Sequence, residues 1–138
     1  FLALYRVRDA EAAEKTQSYV LRTRAYGLWS WLEGFLAVTP DFRTVVGITY
    51  FSHGETPGLG AEVDNPNWQK SWEGKELFDE DQLGGITVKK GTVSQDVAEE
   101  RKHYVDGLSG ATITSQGVSN YTKDVLKTYQ PYFSKTCP

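Results

Sequence analysis

The residues best suited to chemistry lie between Asp106 and Ser115, where the chain reads Asp-Gly-Leu-Ser-Gly-Ala-Thr-Ile-Thr-Ser. Glycine and alanine let the backbone approach a ligand closely, and this stretch leads into a segment with helical periodicity. The unpaired N–H groups of a helix's first turn attract anions. Hydroxyl groups accompany the loop at Ser109, Thr112, Thr114 and Ser115. The pattern indicates a phosphate-binding loop, but a glycine-rich connection without a ligand explains it equally well.

The same stretch nearly matches the Gly-x-Ser-x-Gly turn that presents the nucleophilic serine of α/β hydrolases. That turn follows a buried strand, and the catalytic histidine comes later in the chain. Here residues 96–106 are mostly charged, and both histidines, His53 and His103, precede Ser109. The sequence therefore argues against a serine hydrolase.

Composition excludes several other classes of protein. The 138 residues carry a formal net charge of −3, and their acidic groups are spread along the chain. Because no basic stripe is present to contact a phosphate backbone, nucleic-acid binding is not expected. Cys137 is the only cysteine, which rules out an internal disulfide and any metal site built on several thiolates. No run of about 18 apolar residues is present to span a bilayer.

Strands are predicted mainly in the first half of the chain. Thr39, Pro40 and Asp41 form a turn signal between two β-rich runs, because proline fixes φ and aspartate bonds its own backbone. The runs on either side are therefore expected to form a hairpin. Lys89 and Lys90 alternate along another strand, so one of them could face a ligand, although a solvated face explains both equally well. The predicted strands cover residues 2–8, 18–22, 31–38, 44–51 and 85–90.

Loops and helices occupy the rest of the chain. Residues 54–66 are predicted to be a loop, with a type II turn at Thr56-Pro57-Gly58. Residues 67–73 are predicted to form a short helix that Trp68 and Trp72 pin to the sheet.

The C-terminal element has the clearest pattern. Residues 113–129 are predicted to be helical, with Thr112 or Thr114 as the cap and Pro131 just beyond the end. Its predicted apolar face consists of Val118, Tyr121, Val125 and Tyr129. The sequence therefore predicts an α+β fold: a single domain over residues 1–138, with an antiparallel or mixed sheet and a C-terminal helix starting at the phosphate site.

The stretch Asp106 to Thr112 resembles the attachment sequence of the FMN-binding domain family, Asp-x-x-Ser/Thr-Gly/Ser-Ala-Thr. Within that family, the chain is similar to the C subunits of sodium-translocating NADH:quinone oxidoreductases. The similar segments are residues 26–37, 53–66 and 112–118, in the same order. The resemblance implies that FMN is joined covalently, through a phosphoester, to Thr112.

The resemblance also implies which residues surround the cofactor. The attachment loop contributes Ser109, Gly110, Ala111 and Thr114. Leu28 and Trp29 are expected to lie against the isoalloxazine, because a planar ring favours apolar and aromatic walls. Without the resemblance, these two residues would be ordinary core. Further contacts are expected from the glycine-rich loop that begins at residue 54. The residues concerned are Glu55, Thr56, Leu59 and Gly60.

The function that the resemblance implies is electron transfer within a membrane-bound respiratory complex. Its expected partners are the other subunits and an FMN transferase that uses FAD and its own magnesium ion. The sequence contains no methionine, and we expect an N-terminal anchor in the inner membrane to be missing, with this domain on the periplasmic or outer side. The domain itself is expected to bind no metal and to be a redox relay with no complete activity.

Two alternatives stay open at this point. The G subunits of Rnf electron-transport complexes share the attachment sequence, although the segment 27–30 favours the C subunits. A protein of another class, an extracytoplasmic binding module, would stack sugars on its aromatic side chains. Its platform would be formed by Trp29, Trp31, Trp68 and Trp72.

Overall fold

The computed structural model describes residues 3–136, so Leu2 and Cys137 lie outside the described residues. Four consecutive strands form an antiparallel sheet in the order β1-β2-β3-β4. The predicted hairpin of residues 31–38 and 44–51 is therefore confirmed, and the strand predicted at residues 18–22 is present but longer. The strands are β1 (Leu4–Arg8), β2 (Thr16–Tyr26), β3 (Trp31–Val38) and β4 (Val45–Ser52).

Alternation along β2 and β3 creates one buried face. Leu21 pairs with Leu36 across the two strands, and both side chains are fully buried. Directly opposite residues of an antiparallel pair share a face, so this pairing places the two apolar rows together. The C-terminal helix α3 (Thr112–Thr136) packs on β2 and closes the core.

The chain between β4 and α3 is built from short elements. A 3-10 helix (Gly60–Asp64) falls in the segment predicted to be loop, and α1 (Pro66–Lys70) follows it. Trp72 is completely buried and Trp68 nearly so. The helix ends before the predicted residue 73, so of the two tryptophans only Trp68 lies on it. The other elements are β5 (Phe78–Asp79), β6 (Gln82–Leu83), β7 (Thr87–Val88), α2 (Ala98–His103) and β8 (Tyr104–Val105).

The predicted strand at residues 85–90 is much shorter in the structure. Only Thr87 and Val88 are β, and they pair in parallel with Tyr104 and Val105. This small parallel pair places the end of β7 beside the chain that leads into α3.

The C-terminal helix differs from the prediction at its end and on its face. It continues through Pro131 to Thr136. Phe133 is buried and stacks on Phe42, with ring centroids 3.6 Å apart, and this packing stabilises the last turn beyond the proline. Tyr121 is 36% exposed, whereas Thr122 is fully buried. The predicted face was therefore wrong at Tyr121, because the inward position is held by a polar residue.

The fold is thus α+β, as predicted, with α3 beginning at the candidate phosphate loop. Within residues 3–136, no helix combines the length and apolar character that crossing a membrane requires.

Candidate functional site

The loop before α3 is held tightly against the segment that follows β7. Gly107 donates its N–H to the carbonyl of Gly91 over 2.9 Å. A Cβ at Gly107 would lie 2.1 Å from the carbonyl oxygen of Lys89, so only glycine permits this approach. The Asp106 carboxylate accepts a hydrogen bond from the N–H of Val93 over 2.7 Å. These contacts fix the entry to the loop.

The start of α3 presents Thr112 to solvent. Ala111, not Thr112 or Thr114, occupies the cap position, because its carbonyl accepts the N–H of Ser115 over 3.0 Å. Thr112 is the first helical residue and is exposed. The N–H groups of this first turn lack carbonyl partners within the helix. An anion esterified to Thr112 would therefore lie next to free donors and the positive end of the helix dipole.

Gly110 gives the loop its sharp turn. Its φ is +64°, in the left-handed region, and a Cβ there would lie 2.8 Å from Cδ2 of Leu59. Ser109 and Gly110 are both exposed, whereas Ala111 is buried. The hydroxyl of Ser109 and the bare backbone of Gly110 thus lie on the open side of the loop, beside Thr112.

Thr112 lies between two hollows. The larger has a volume of about 650 Å³ and lies between residues 88–92 and 106–110. Two lysines line this hollow. Nζ of Lys89 forms an ion pair with Oε2 of Glu100 over 2.6 Å. Lys90 is exposed and has no ion pair with any described residue. The smaller hollow, of about 210 Å³, is lined by Leu28 and residues 110–114.

The glycine-rich loop approaches the loop before α3 through Leu59, whose side chain lies next to Gly110. The N–H of Leu59 bonds the carbonyl of Thr56 over 3.1 Å, and Gly58 has φ +77°, as a type II turn requires. Leu59 is 41% exposed, Leu28 46% and Ile113 54%. These three apolar side chains border the loop at Thr112, so a planar ring tethered there would meet an apolar wall.

Glu55 is buried and binds inward. Its carboxylate accepts hydrogen bonds from the N–H groups of Leu28 and Trp29 and from the hydroxyls of Ser30 and Thr114. Burial raises the pKa of Glu55, but the hydrogen bonds from Thr114, Trp29, Leu28 and Ser30 outweigh it and hold the pKa below its usual value. Glu55 is therefore an ionised carboxylate beneath the site.

The structure thus brings together most of the residues singled out in the sequence. One group lies together at the surface: Thr112, Gly110, Leu59 and Leu28. Behind this group, Thr114 and Gly60 lie beside Glu55. Two residues lie further out. Thr56 is exposed, and the Trp29 side chain is 67% exposed and has no ring contact within the described residues. The larger hollow is also lined by Gly91, Thr92 and Gln116, which were not among the residues predicted to form the site.

An exposed threonine at a helix start, a glycine-rich loop and an apolar wall are features suited to a ligand that combines a phosphate with a planar ring. Residues 27–127 match the model of the family described as FMN-binding domain. The chain therefore belongs to the FMN-binding domain family.

The relatives that the chain matches are named as C subunits of one enzyme complex. The chain is 47% identical over 137 residues to the C subunit of the Na(+)-translocating NADH-quinone reductase of Haemophilus ducreyi, covering 98% of this chain and 51% of the relative. It is 49% identical over 110 residues to the corresponding C subunit of Pseudomonas aeruginosa, covering 80% of this chain and 42% of the relative. The chain spans about half the length of the curated relatives it matches.

The fold also matches a solved structure. The crystal structure of NqrC from Shewanella oneidensis superposes with a TM-score of 0.84 at 35% identity. The match covers 96% of this chain and 59% of that one. The predicted α+β fold is therefore confirmed.

The residues present fit the phosphate end of FMN. Gly110 is exposed and carries no side chain, and the helix start supplies unpaired donors. Thr112 supplies an exposed hydroxyl at the centre of this arrangement.

Proposed function

We propose that the chain is the FMN-carrying redox domain from the C subunit of a sodium-translocating NADH:quinone reductase. In this proposal the FMN phosphate is esterified to Oγ1 of Thr112. The main observation behind this proposal is that Thr112, the first residue of α3, is exposed. It follows Ala111 and the left-handed Gly110. Membership in the FMN-binding domain family supports FMN as the ligand.

Attachment is proposed to occur by transfer from FAD, catalysed by a separate FMN transferase with its own magnesium ion. Oγ1 of Thr112 forms a bond to the FMN phosphorus, the pyrophosphate bond of FAD breaks, AMP leaves and the hydroxyl proton is released. The transferase must reach this oxygen from solvent. Thr112 and Ser109 are exposed, whereas Thr114 is only 1% exposed, which supports Thr112 over Thr114 as the acceptor.

The bound FMN supplies the uptake and release of electrons, and the protein orients it. The first-turn N–H groups of α3 and the Ser109 hydroxyl are placed to bind the phosphate. Leu28 and Leu59 would contact the ring, as would the more exposed Trp29 and Thr56. Ala111, Gly60 and Thr114 support the loop from behind. We assign Glu55 a supporting position as well, since its carboxylate is already occupied by four hydrogen bonds.

The wider role is proposed from the relatives. The domain would relay electrons between neighbouring subunits and would not oxidise NADH alone, because no Gly-x-Gly-x-x-Gly sequence follows a strand. It would lie at the inner membrane, on the periplasmic or outer side, behind an N-terminal anchor. The relatives named as C subunits support this role over that of an Rnf G subunit.

The sugar-binding alternative loses support from the fold. Trp68 and Trp72 are buried, with relative exposures of 9% and 0%, so they cannot belong to an open aromatic platform. Trp29 and Trp31 alone remain at the surface.

The test is co-expression of the chain with an FMN transferase, followed by intact and peptide mass spectrometry. We expect the mass of FMN less one water on the peptide that contains Thr112, and a band that fluoresces on a denaturing gel. Thr112→Ala should lose the adduct while Ser109→Ala keeps it. An added mass mapped to Ser109, Thr114 or Ser115 would show that the assignment is wrong.

A further inference from the structure

We propose that Glu55 is a positioning residue. Its ionised carboxylate fixes its own glycine-rich loop and the turn at residues 27–30 to the helix that carries Thr112. The proposal rests on the proposed function only in taking Thr112 as the flavin attachment point. It assigns Glu55 no contact with the ring. Instead, Glu55 sets where Leu28, Trp29 and the start of α3 lie relative to one another.

The hydrogen bonds of Glu55 reach two segments outside its own loop. Oε1 accepts the N–H of Leu28 over 2.8 Å and the hydroxyl of Thr114 over 2.7 Å. Oε2 accepts the N–H of Trp29 over 3.0 Å and the hydroxyl of Ser30 over 3.4 Å. One side chain in the glycine-rich loop therefore holds the turn at residues 27–30 and the first turn of α3 together.

Two glycines make room for this carboxylate. A Cβ at Gly27 would lie 1.9 Å from Oε1 of Glu55, too close for any side chain. A Cβ at Gly60 would lie 2.9 Å from Oγ1 of Thr114 and 3.0 Å from Cβ of Glu55. The absence of side chains at Gly27 and Gly60 thus lets the Glu55 carboxylate lie close to the turn at residues 27–30 and to Thr114.

The charge of Glu55 is not balanced by a basic side chain. Within the described residues, no Lys, Arg or His nitrogen lies within the 4.0 Å of an ion pair with this carboxylate. Glu55 is only 6% exposed, so its negative charge is compensated by N–H and O–H dipoles alone. A buried charge of this kind acts over a longer range than a solvated one.

Glutamine cannot replace this carboxylate. In either orientation of the amide, its NH₂ group would face the N–H of Leu28 or of Trp29, and two donors would oppose each other. Glu55→Gln therefore breaks the attachment of the turn and removes the negative charge, with almost no change in size. Glu62→Gln is the matched control, because Glu62 lies in the next turn and its side chain bonds the Asn65 amide, over 2.7 Å.

The first measurement needs no flavin. Amide hydrogen exchange of Leu28 and Trp29 should become faster in Glu55→Gln and unchanged in Glu62→Gln. Gly27→Ala should reproduce the effect, because the new methyl group displaces the Glu55 carboxylate. Wild-type exchange rates at Leu28 and Trp29 in Glu55→Gln would overturn the proposal, whatever the outcome of the flavin attachment experiment.

The second measurement uses protein carrying FMN, with equal loading checked by mass. In Glu55→Gln, iodide should quench the flavin more strongly because the wall at Leu28 is released. The midpoint potential should shift to a more positive value because a negative charge is lost. Glu62→Gln should shift neither. A lower melting temperature with wild-type quenching and potential would mean that Glu55 only stabilises the fold, and the proposal would be wrong.

Discussion

Gly110 and Leu59 are in contact across the candidate site, with Cδ2 of Leu59 only 2.8 Å from where a Cβ at Gly110 would lie. The contact joins the glycine-rich loop to the attachment loop at the residue two before Thr112. The backbone of Gly110 is also left-handed, with φ +64°. The position therefore disfavours a side chain for two reasons: the backbone conformation costs energy, and the end of the Leu59 side chain would have to move.

Gly110→Val should reduce flavin attachment more than it reduces stability. The left-handed conformation costs a residue with a Cβ about 1–2 kcal/mol, and the branched side chain must also displace the Leu59 side chain beside the attachment loop. Gly74→Val is the control, because Gly74 has φ +80° but nothing within 4 Å of its Cβ position. Adduct yield by mass and urea unfolding would be measured together. Full loading of Gly110→Val would show that the loop does not approach the phosphate closely.

Glu55 should make stability depend on pH in the acid range. Its pKa is lowered in the folded protein, so the unfolded chain binds a proton more readily. The stabilisation is therefore complete above the usual carboxyl value of about 4.3 and is lost as the pH falls through the folded value. The free energy of unfolding, measured from pH 7 to pH 3, should fall more in the wild type than in Glu55→Gln. Parallel curves for the two proteins would contradict this.

Lys90 should assist attachment electrostatically. It is the cation lining the larger hollow that has no ion pair within residues 3–136, whereas Lys89 is occupied by Glu100. Lys90→Gln should slow loading by up to about fivefold, as expected for an exposed charge pair worth about 0.2–1 kcal/mol, and added salt should reduce the difference. Lys70→Gln, in α1 and away from both hollows, should load at the wild-type rate. Equal rates for both variants would remove Lys90 from the site.

Pro131 lies inside α3, although a proline at this position was expected to mark the end of the helix. Proline lacks the N–H that would bond the carbonyl of Lys127, so Pro131→Ala should stabilise the helix by about 1–3 kcal/mol in urea unfolding. Pro66→Ala should give no such gain, because Pro66 is the first residue of α1, where that N–H is not needed. A gain no larger at Pro131 than at Pro66 would indicate that the helix bond is already lost for another reason.

The predictable parts of the fold were those set by local pattern. The turn signal between two β-rich runs predicted the β3–β4 hairpin, and the small-residue loop was expected to lead into the C-terminal helix, as it does. The end of α3 was not predictable, because the helix is stabilised there by Phe133 stacking on Phe42, a contact between residues far apart in the chain. Thr122 faces inward in place of Tyr121 for a similar reason: burial there is decided by packing against the sheet.

The site likewise combines features that a local pattern predicts with contacts between residues far apart in the chain. Glycines and hydroxyls near Thr112 are adjacent in sequence, so their meeting was predictable. The hydrogen bond from Thr114 to Glu55 spans 59 residues, and no local pattern encodes it. The wall formed by residues 88–92 depends on the parallel pairing of β7 with β8, which two-residue strands do not signal.

The apolar rim of the site should act in electron exchange with a neighbouring subunit. Leu28, Leu59 and Ile113 are each more than two-fifths exposed beside Thr112, and such a cluster favours a small contact surface. Leu59→Ser should change stability by no more than about 0.5 kcal/mol, as is usual for exposed positions. It should nevertheless slow quinone reduction by the assembled complex, because the flavin edge loses its apolar border.

Val46→Ser is the matched control for this substitution. Val46 is 45% exposed on β4 and lines neither hollow at Thr112, so the same loss of apolar surface there should leave quinone reduction unchanged. Loading would first be equalised by mass, and each variant's melting temperature would be compared with that of the wild type. Because the two positions are similarly exposed, a general effect of surface polarity would slow both variants equally. That result would exclude the rim as the contact surface, whereas slowing at Leu59 alone locates electron exchange at the edge of the flavin.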